Sequence, residues 1–579
     1  MQVNPSNFEI SYYNSKSRQV LVLEMRKRKK RSPVGQSSAP DGFSAINKIK
    51  PPHLIALLWV LSTGIAGWKY FPMLDDWYWL VKPNIVPNRW SVVMDNYTTR
   101  PLGDLLNIGL FSRFWPHLDL LSLLISFIVL AAAAVFYQIA RREFHLPVWG
   151  FVICLLWWPA SVEGQQWLGA ATFIAPGMLF LALGLHFIAA YRDGADDARR
   201  RLYWLSGFIC TTAAFLSYEQ FWFCGLAAVV ALALRGKDRR WQGAAAGVLA
   251  LAVTALWYLS MSPGAAAALA ARKPPDSISA VLFNLNAVTR QLSEIWGPVT
   301  RSAFARPPLI VRSDFDLALL VLLITAFAVW LMAGEYKQSN VQKINPQKIV
   351  YLFAAGAAWL VLSYTPWLIT SYDYISLRSV YVATPGIGLV VEGVICLVAC
   401  LVNRLIGNTS LKNLLRTASM AALSFFFCYL VLIHVSEVRS YLIAGCFDTQ
   451  VGQEITAALG KWGLTKEPVA IRTDKYGYLP WDFYYHEHII SSWASDWAGT
   501  DALYALSNGR LHNPIEIIRS DQEAEKLAAN KKDKRAWVIL TGRGEGTGIR
   551  KTFHLAPCLV IRYRAAWPVL EVEDAQTYN

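Results

Sequence analysis

The sequence predicts an α-helical membrane protein with about eleven transmembrane helices and a small C-terminal α/β or α+β domain outside the membrane. Hydrophobic residues make up 54% of the 579 residues, and the mean hydropathy is +0.31, more than the core of a soluble domain needs. Apolar runs long enough to span a bilayer recur from residue 54 to residue 434. After residue 436 the composition becomes that of an ordinary soluble domain.

Residues 1–50 are predicted to form a basic cytoplasmic tail. The run Met-Arg-Lys-Arg-Lys-Lys-Arg at 25–31 precedes the first apolar run at 54–68, and excess Lys and Arg collects on the cytoplasmic side of membrane proteins. The first helix would then end outside the cytoplasm. We expect a transmembrane domain over 51–435 and an outer domain over 436–579.

Ten further apolar runs follow the first, at 118–140, 147–162, 171–190, 202–217, 221–234, 241–260, 316–333, 349–366, 380–402 and 415–434. The connections that this topology assigns to the cytoplasm are basic, at 141–142, 199–201, 237–240, 337–348 and 404–416. An odd number of crossings places the C-terminal domain outside. The same topology accounts for the net charge of +15 without nucleic acid as a partner.

The outer domain has a helical pattern at 453–462 and strand-like runs at 469–472, 536–541 and 558–563. Alternating helix and strand signals favour an α/β or α+β fold over an all-β sandwich. Cys446 and Cys558 are the two cysteines of this region, and the sequence leaves open whether they form a disulfide.

Two adjacent carboxylates, Asp75 and Asp76, follow the first span and precede Trp77-Tyr78-Trp79. Aromatic residues of this kind favour the headgroup layer, so the acids are expected near the membrane face. Neighbouring side chains diverge by about 100° on a helix, so the pair would supply two separate roles rather than one bidentate clamp. The alternative is a solvated turn at the end of the helix.

Further polar residues fall in the predicted outer connections, and they are Arg100, Glu163, Glu219, Asp373 and Arg378. Arg378 is notable because it precedes an apolar span on the side where positive charge is depleted. A phosphate at the bilayer surface would explain it. The alternative is a snorkelling side chain or a bond to a carbonyl at a helix end.

With these features the sequence resembles the membrane-embedded glycosyltransferases of the GT-C fold, which use polyprenyl-phosphate sugars at the outer face of a membrane. The resemblance rests on the acid pair Asp75-Asp76 after the first span, the odd number of spans and the outer C-terminal domain. Arg-Pro-Leu at 100–102 and Arg-Ser-Val-Tyr at 378–381 also look like patterns of bacterial members. The resemblance implies a bacterial inner-membrane protein with a cytoplasmic N-terminus and a periplasmic C-terminus.

The resemblance also implies transfer of a sugar from a polyprenyl-phosphate donor to a hydroxyl acceptor on a glycan, a lipid or a protein, with inversion. A hydroxyl that attacks an anomeric carbon needs a base, and Asp75 is expected in that role, with Asp76 orienting it or the acceptor. A planar guanidinium suits the departing phosphate. Arg378 is the first candidate for this phosphate and Arg100 the second, with Tyr381 beside them.

Glu163, Glu219, Asp373 and Trp77 are expected to line the substrate site. For the two glutamates, a bond to neighbouring helix ends is an equal alternative. The acid pair together with Glu163 offers oxygen ligands for a divalent metal ion, Mg²⁺ or Mn²⁺, and the sequence leaves open whether one is required. The expected partners are the lipid-linked donor, the acceptor and membrane lipids.

A transporter or flippase of a lipid-linked or anionic substrate is the competing class, since it would also have many spans and charged residues. Transporters tend to place ionisable residues near the middle of the membrane on broken helices, and they carry internal repeats. Here the charged residues cluster at outer helix ends, and the sequence shows no repeat. We therefore expect an enzyme.

Overall fold

The computed structural model describes residues 50–65, 67–96, 100–194, 196–236, 240–260, 278–305, 315–338, 345–368, 375–406, 408–473, 491–529, 535–542, 557–563 and 570–574. Apart from Lys50, all of them belong to one compact unit, 51–579. The basic tail at 1–49 and the candidate Asp373 lie outside the described residues.

The membrane part is built from α-helices in chain order: α1 (Pro51–Trp59), α2 (Arg89–Asn96), α3 (Pro101–Asp104), α4 (Leu118–Phe144), α5 (Trp149–Trp157), α6 (Val162–Gln166), α7 (Leu168–Asp193), α8 (Asp197–Ser217), α9 (Phe221–Leu234), α10 (Arg240–Ser260), α11 (Ile278–Glu294), α12 (Thr300–Phe304), α13 (Phe315–Gln338), α14 (Pro346–Leu368), α15 (Ser379–Leu405) and α16 (Thr409–Trp462). Wider π-helical turns continue α1 over Val60–Ile65 and form Trp77–Val81, Leu105–Leu110 and Ile295–Val299.

Seven of the described helices, α4, α7, α10, α13, α14, α15 and α16, are long and apolar enough to cross a membrane. A helix satisfies its own backbone hydrogen bonds, which lipid cannot do, so long apolar segments of a membrane protein fold this way. The predicted class of α-helical membrane protein is confirmed. The count of eleven spans stays a prediction, because α1, α5, α8 and α9 are either too short or not apolar enough to count as spans.

The predicted span at 147–162 is interrupted in the structure. Helix α5 ends at Trp157, and Trp158 takes an extended conformation with ψ of 134°. Trp158 precedes Pro159, and a proline disfavours the helical conformation of the residue before it. The chain then turns at Ala160 with a positive φ of 64° and resumes as the short helix α6. This break brings α6 to the start of α7.

Helix α16 is continuous over 54 residues and leads from the membrane part into the C-terminal domain. Asn408 caps its first turn by accepting from the backbone N–H groups of Ser410 and Leu411, and Gly463 ends it with a φ of +68°. At about 1.5 Å per residue the helix is roughly 80 Å long, against a hydrocarbon core of about 30 Å. The boundary after residue 435 falls inside this helix and stays a prediction.

The C-terminal domain contains a five-stranded sheet in the order β2-β1-β3-β4-β5, made of β1 (Val469–Thr473), β2 (Ile515–Ile518), β3 (Ala536–Gly542), β4 (Cys558–Tyr563) and β5 (Leu570–Asp574). The first four strands are parallel and β5 is antiparallel to β4. Parallel neighbours need crossover connections, and α17 (Asp496–Leu506) and α18 (Asp521–Ala529) lie in two of them. The predicted α/β or α+β class of this region is confirmed, and the three predicted strand runs lie on β1, β3 and β4.

Both faces of the sheet are covered. Side chains alternate along a strand, so Val469 and Ile471 point to one face and join the main core. Ala470 points to the other face, where it shares a second cluster with Trp537 and with Ala524 of α18. Cys446 and Cys558 are not joined by a disulfide bond in the structure.

Candidate functional site

The acid pair lies in the segment between α1 and α4, called the 67–117 segment below. Leu74 has a positive φ of 44°, a conformation that costs a residue with a branched side chain free energy. The backbone then turns directly into a helical stretch that begins with Asp75 and Asp76 and continues as Trp77–Val81. The sharp turn at Leu74 therefore sets the direction in which both carboxylates leave the chain.

Asp76 is fully buried. Its Oδ2 accepts a hydrogen bond from the Tyr70 hydroxyl at 2.7 Å and another from the backbone N–H of Met73 at 3.0 Å. Its Oδ1 faces Gly169, whose backbone N–H also helps to lower the pKa of this carboxyl group. Burial raises the pKa of Asp76 to about 7, although the bonds from Tyr70 and Met73 lower it. At neutral pH this carboxyl group therefore exists in both protonation states.

Asp75 has a different environment from its neighbour. It is half-buried, and its side chain makes no hydrogen bond or ion pair with another described residue. The structure thus separates the two acids, as their divergence on a helix suggests: Asp76 is held inside the protein, whereas Asp75 can meet a ligand.

The start of α7 lies against the acid pair. The Tyr70 hydroxyl donates to Asp76 and accepts from the backbone N–H of Leu168 at 2.9 Å. Burial, with the neighbouring Asp76 carboxylate, raises the pKa of Tyr70. A side chain at Gly169 would come within 3.0 Å of Asp76 Oδ1, so only glycine fits this approach without a shift. The N-terminal turn of α7 is therefore tied to the acids.

Arg378 lies on the other side of this turn. Its guanidinium is 5.8 Å from the centre of the Trp167 ring, and Trp167 immediately precedes α7. The backbone N–H of Arg378 donates to Glu163 Oε1 at 3.2 Å. A Cβ at Gly164 would meet the Arg378 carbonyl oxygen at 2.7 Å, so α6 and the start of α15 are in close backbone contact.

Glu163 is fully buried in α6 and binds the start of α15 through that contact with Arg378. This contact matches the alternative stated above, in which a buried glutamate bonds a neighbouring helix end. Through it Glu163 positions the start of α15. Within the described residues, no group of three His, Cys, Asp or Glu side chains is arranged to hold a metal ion. The set of Asp75, Asp76 and Glu163 is therefore not gathered into a metal site.

Arg100 and Glu219 pair with each other, although the sequence assigned them to different roles. Arg100 makes two hydrogen bonds to the Glu219 carboxylate, Nε to Oε2 at 2.8 Å and Nη2 to Oε1 at 2.7 Å. Its guanidinium also stacks on Tyr218 and Phe173, 4.7 and 5.0 Å from the ring centres. Burial lowers the pKa of Arg100, and the Glu219 carboxylate more than offsets this. The pair is a largely desolvated ion pair.

Tyr218 lies between the two arginines. Burial raises the pKa of its hydroxyl, and the positive charges of Arg378 and Arg100 both lower it. Tyr218 is not among the candidate residues named in the sequence analysis. The structure shows that it connects the two candidate phosphate ligands, and nothing local in the sequence indicates this because residues 100, 218 and 378 are far apart in the chain.

Two other expected site residues are buried. Tyr381 lies one turn into α15, and its hydroxyl has no hydrogen-bond partner in the described ranges. Trp77 is turned into the protein, where its indole N–H donates to Ser492 Oγ at 3.1 Å and its ring meets Trp115 edge-on. Trp77 therefore contacts the C-terminal domain, which differs from the contact with headgroups or substrate expected from its sequence position.

No protein-family model and no curated protein matches the sequence. Among solved structures, the chain is similar to crystal structures of ArnT from Cupriavidus metallidurans, one bound to undecaprenyl phosphate and one in the apo state. The identities are 14% and 13% and the TM-scores 0.36 and 0.35, and each match covers 91% of this chain and 94% of the other. Similarity of this degree assigns neither a family nor the role of any residue.

Proposed function

We propose that this protein is a membrane glycosyltransferase of the GT-C type. It moves a sugar from a polyprenyl-phosphate donor to a hydroxyl of a glycan, lipid or protein acceptor at the periplasmic face of a bacterial inner membrane. Asp75 is the general base, Asp76 orients it, and Arg378 binds the donor phosphate. Arg100 has a supporting part because Glu219 already neutralises it.

The observation that carries the proposal is the series of contacts across the start of α7. Asp76 is joined to Leu168 through Tyr70, and the adjacent Trp167 lies against Arg378. The start of α7 therefore contacts the acid pair on one side and Arg378 on the other. The acid pair includes Asp75, a half-buried carboxylate without a partner among the described residues, and Arg378 is a cation at the start of an apolar helix. A transferase that removes a proton and releases a phosphate needs both groups at one site.

The reaction balances with these groups. The acceptor oxygen forms a bond to the anomeric carbon while its proton passes to the Asp75 carboxylate. The bond between that carbon and the phosphate oxygen breaks, and the electron pair leaves with the polyprenyl phosphate. The negative charge that develops there is stabilised by the Arg378 guanidinium, which can bind two phosphate oxygens at once. Direct displacement inverts the anomeric centre.

The test is sugar transfer by the purified full-length protein in nanodiscs, with a panel of polyprenyl-phosphate sugars and detection of released polyprenyl phosphate. Asp75→Asn keeps the size of the side chain and removes the base, so transfer should fall by about 10²–10⁴-fold. The matched control is Asp119→Asn, at another half-buried aspartate, in the first turn of α4, and it should keep wild-type transfer.

Wild-type transfer together with unchanged transfer by Asp75→Asn would refute Asp75 as the base. If the wild-type protein consumes no donor of the panel, the glycosyltransferase proposal is rejected. The measurement that follows is movement of a fluorescent lipid-linked substrate across proteoliposomes, which a transporter or flippase would catalyse.

A further inference from the structure

The turn at Leu74 is held by the C-terminal domain. Ser492 is fully buried in a short 3₁₀ turn, Ser492–Ala494, between β1 and α17. Its Oγ accepts a hydrogen bond from the backbone N–H of Leu74 at 3.0 Å and another from the indole N–H of Trp77 at 3.1 Å. A hydroxyl has two lone pairs, so both acceptor positions are used. The two donors stand on either side of the acid pair.

Ser492 is itself fixed by a buried carboxylate on the long helix α16. The backbone N–H of Ser492 donates to Asp448 Oδ2 at 2.9 Å, and the Ser491 hydroxyl donates to Asp448 Oδ1 at 2.6 Å. The indole N–H of Trp493 donates to the backbone carbonyl of Asp448 at 2.8 Å. Three hydrogen bonds thus fix this turn to Asp448 of α16.

A second bond joins the same two regions a few residues further on. Lys82 Nζ lies 2.8 Å from Asp501 Oδ1 of α17, and both side chains are mostly shielded from solvent. Lys82 follows the helical turn that carries the acids. The stretch from Leu74 to Lys82 is therefore attached to the C-terminal domain at both ends.

We propose that Ser492 is a positioning residue for Asp75 and Asp76, and that the C-terminal domain completes the active site by holding the Leu74 turn through this hydroxyl. The inference rests on the proposed function for its catalytic consequence. Its structural part, the restraint of the acid pair by a residue more than 400 positions later in the sequence, can be measured without any substrate.

The restraint matters because Leu74 adopts its left-handed conformation only while the surrounding structure requires it. Without the Ser492 hydroxyl, the N–H groups of Leu74 and Trp77 lose their acceptor in a buried place. The turn would relax and Asp75 would leave the attack geometry. Misplacing a catalytic group by about 1 Å can cost about 10²-fold in rate, so a tenfold loss of kcat is a modest expectation.

The experiment compares Ser492→Ala, Asp448→Asn and wild type as full-length protein in nanodiscs. The first readout is hydrogen–deuterium exchange of peptides that contain residue 74, and the second is kcat and KM for the donor. Ser495→Ala is the matched control, since Ser495 directly follows the same turn and its side chain makes no capping hydrogen bond. The Ser492 hydroxyl is the group that accepts from both Leu74 and Trp77.

We expect faster exchange at residue 74 in Ser492→Ala, with kcat lower by about tenfold and donor KM within about threefold of wild type, because positioning of the base acts on the chemical step. Asp448→Asn should give exchange and kcat values between those of Ser492→Ala and the control.

If Ser492→Ala cannot be purified as a folded protein, Asp448→Asn decides by the same two readouts. Exchange and kcat equal to those of Ser495→Ala would overturn the inference. If the wild-type protein transfers no sugar but Ser492→Ala still exchanges faster at residue 74, the restraint is supported and the proposed function is rejected.

Discussion

Replacing Asp76 by Asn should stabilise the protein at pH 8 and have little effect at pH 4, while sugar transfer falls. The reason is the burial of this carboxyl group, which raises its pKa from 3.8 to about 7. The folded protein then holds the proton at pH values where the unfolded chain has released it. The contribution of Asp76 to stability therefore falls as pH rises from about 4 to about 7, and it levels off above that range.

The size of the effect follows from the same values. The difference between 3.8 and about 7, at about 1.4 kcal/mol per pH unit, gives a cost of about 4 kcal/mol for the ionised side chain in the folded protein. About 2 kcal/mol of this cost arises between pH 5 and pH 7. Asn resembles the protonated acid in shape, and its Oδ1 can still accept from Tyr70 and Met73. The variant should therefore escape the penalty.

The assay is thermal unfolding followed by intrinsic tryptophan fluorescence at pH 5 and pH 8, since Trp59 and Trp157 are among the fully buried side chains. Asp76→Asn should unfold a few degrees above wild type at pH 8, and this gap should shrink at pH 5. Asp119→Asn serves as control and should follow wild type at both values. A gap of equal size at both pH values, or a less stable variant at pH 8, would refute the assignment of a raised pKa.

Three other substitutions test the neighbouring contacts. Arg100→Lys should lower the unfolding temperature, because an ammonium group cannot replace the two parallel bonds to Glu219 or the ring stacking, and wild-type stability would contradict this. Gly164→Ala should raise the donor KM, because the new Cβ would lie 2.7 Å from the carbonyl oxygen of Arg378 and would displace this proposed phosphate ligand. An unchanged KM would show that α6 can shift without moving Arg378. Tyr70→Phe should raise the pKa of Asp76, because the hydrogen bond from the Tyr70 hydroxyl lowers it, so the upper end of the pH range over which thermal stability falls should move to higher pH, and a range equal to that of wild type would argue against that bond.

The membrane class and the C-terminal strands could be predicted from the sequence because both depend on local patterns. Long apolar runs need helices in lipid whatever their neighbours are. The strand runs at 469–472, 536–541 and 558–563 lie on β1, β3 and β4. The break between α5 and α6 could also have been predicted, since Pro159 lies inside the apolar run at 147–162.

The environment of each candidate residue could not be read in the same way. Asp75 and Asp76 are adjacent, but their burial differs because Tyr70 and Gly169 close around only one of them. The partner of Arg100 is 119 residues away. Composition and spacing carry no information about such long-range pairs. The sequence alone therefore singled out the acid pair and the two arginines, but it could not show which acid is buried or which carboxylate pairs with Arg100.

The continuous helix α16 makes the C-terminal domain sensitive to the length of the chain between membrane and sheet. Each residue added to an α-helix turns everything beyond it by about 100° and advances it by about 1.5 Å. One residue inserted before Asp448 would swing Ser491 and Ser492 away from the Leu74 turn without changing any residue of either surface. The number of residues in this helix is thus as important for the contact with the Leu74 turn as the residues that form it, and chimeras that exchange the C-terminal domain must keep the helical phase of α16.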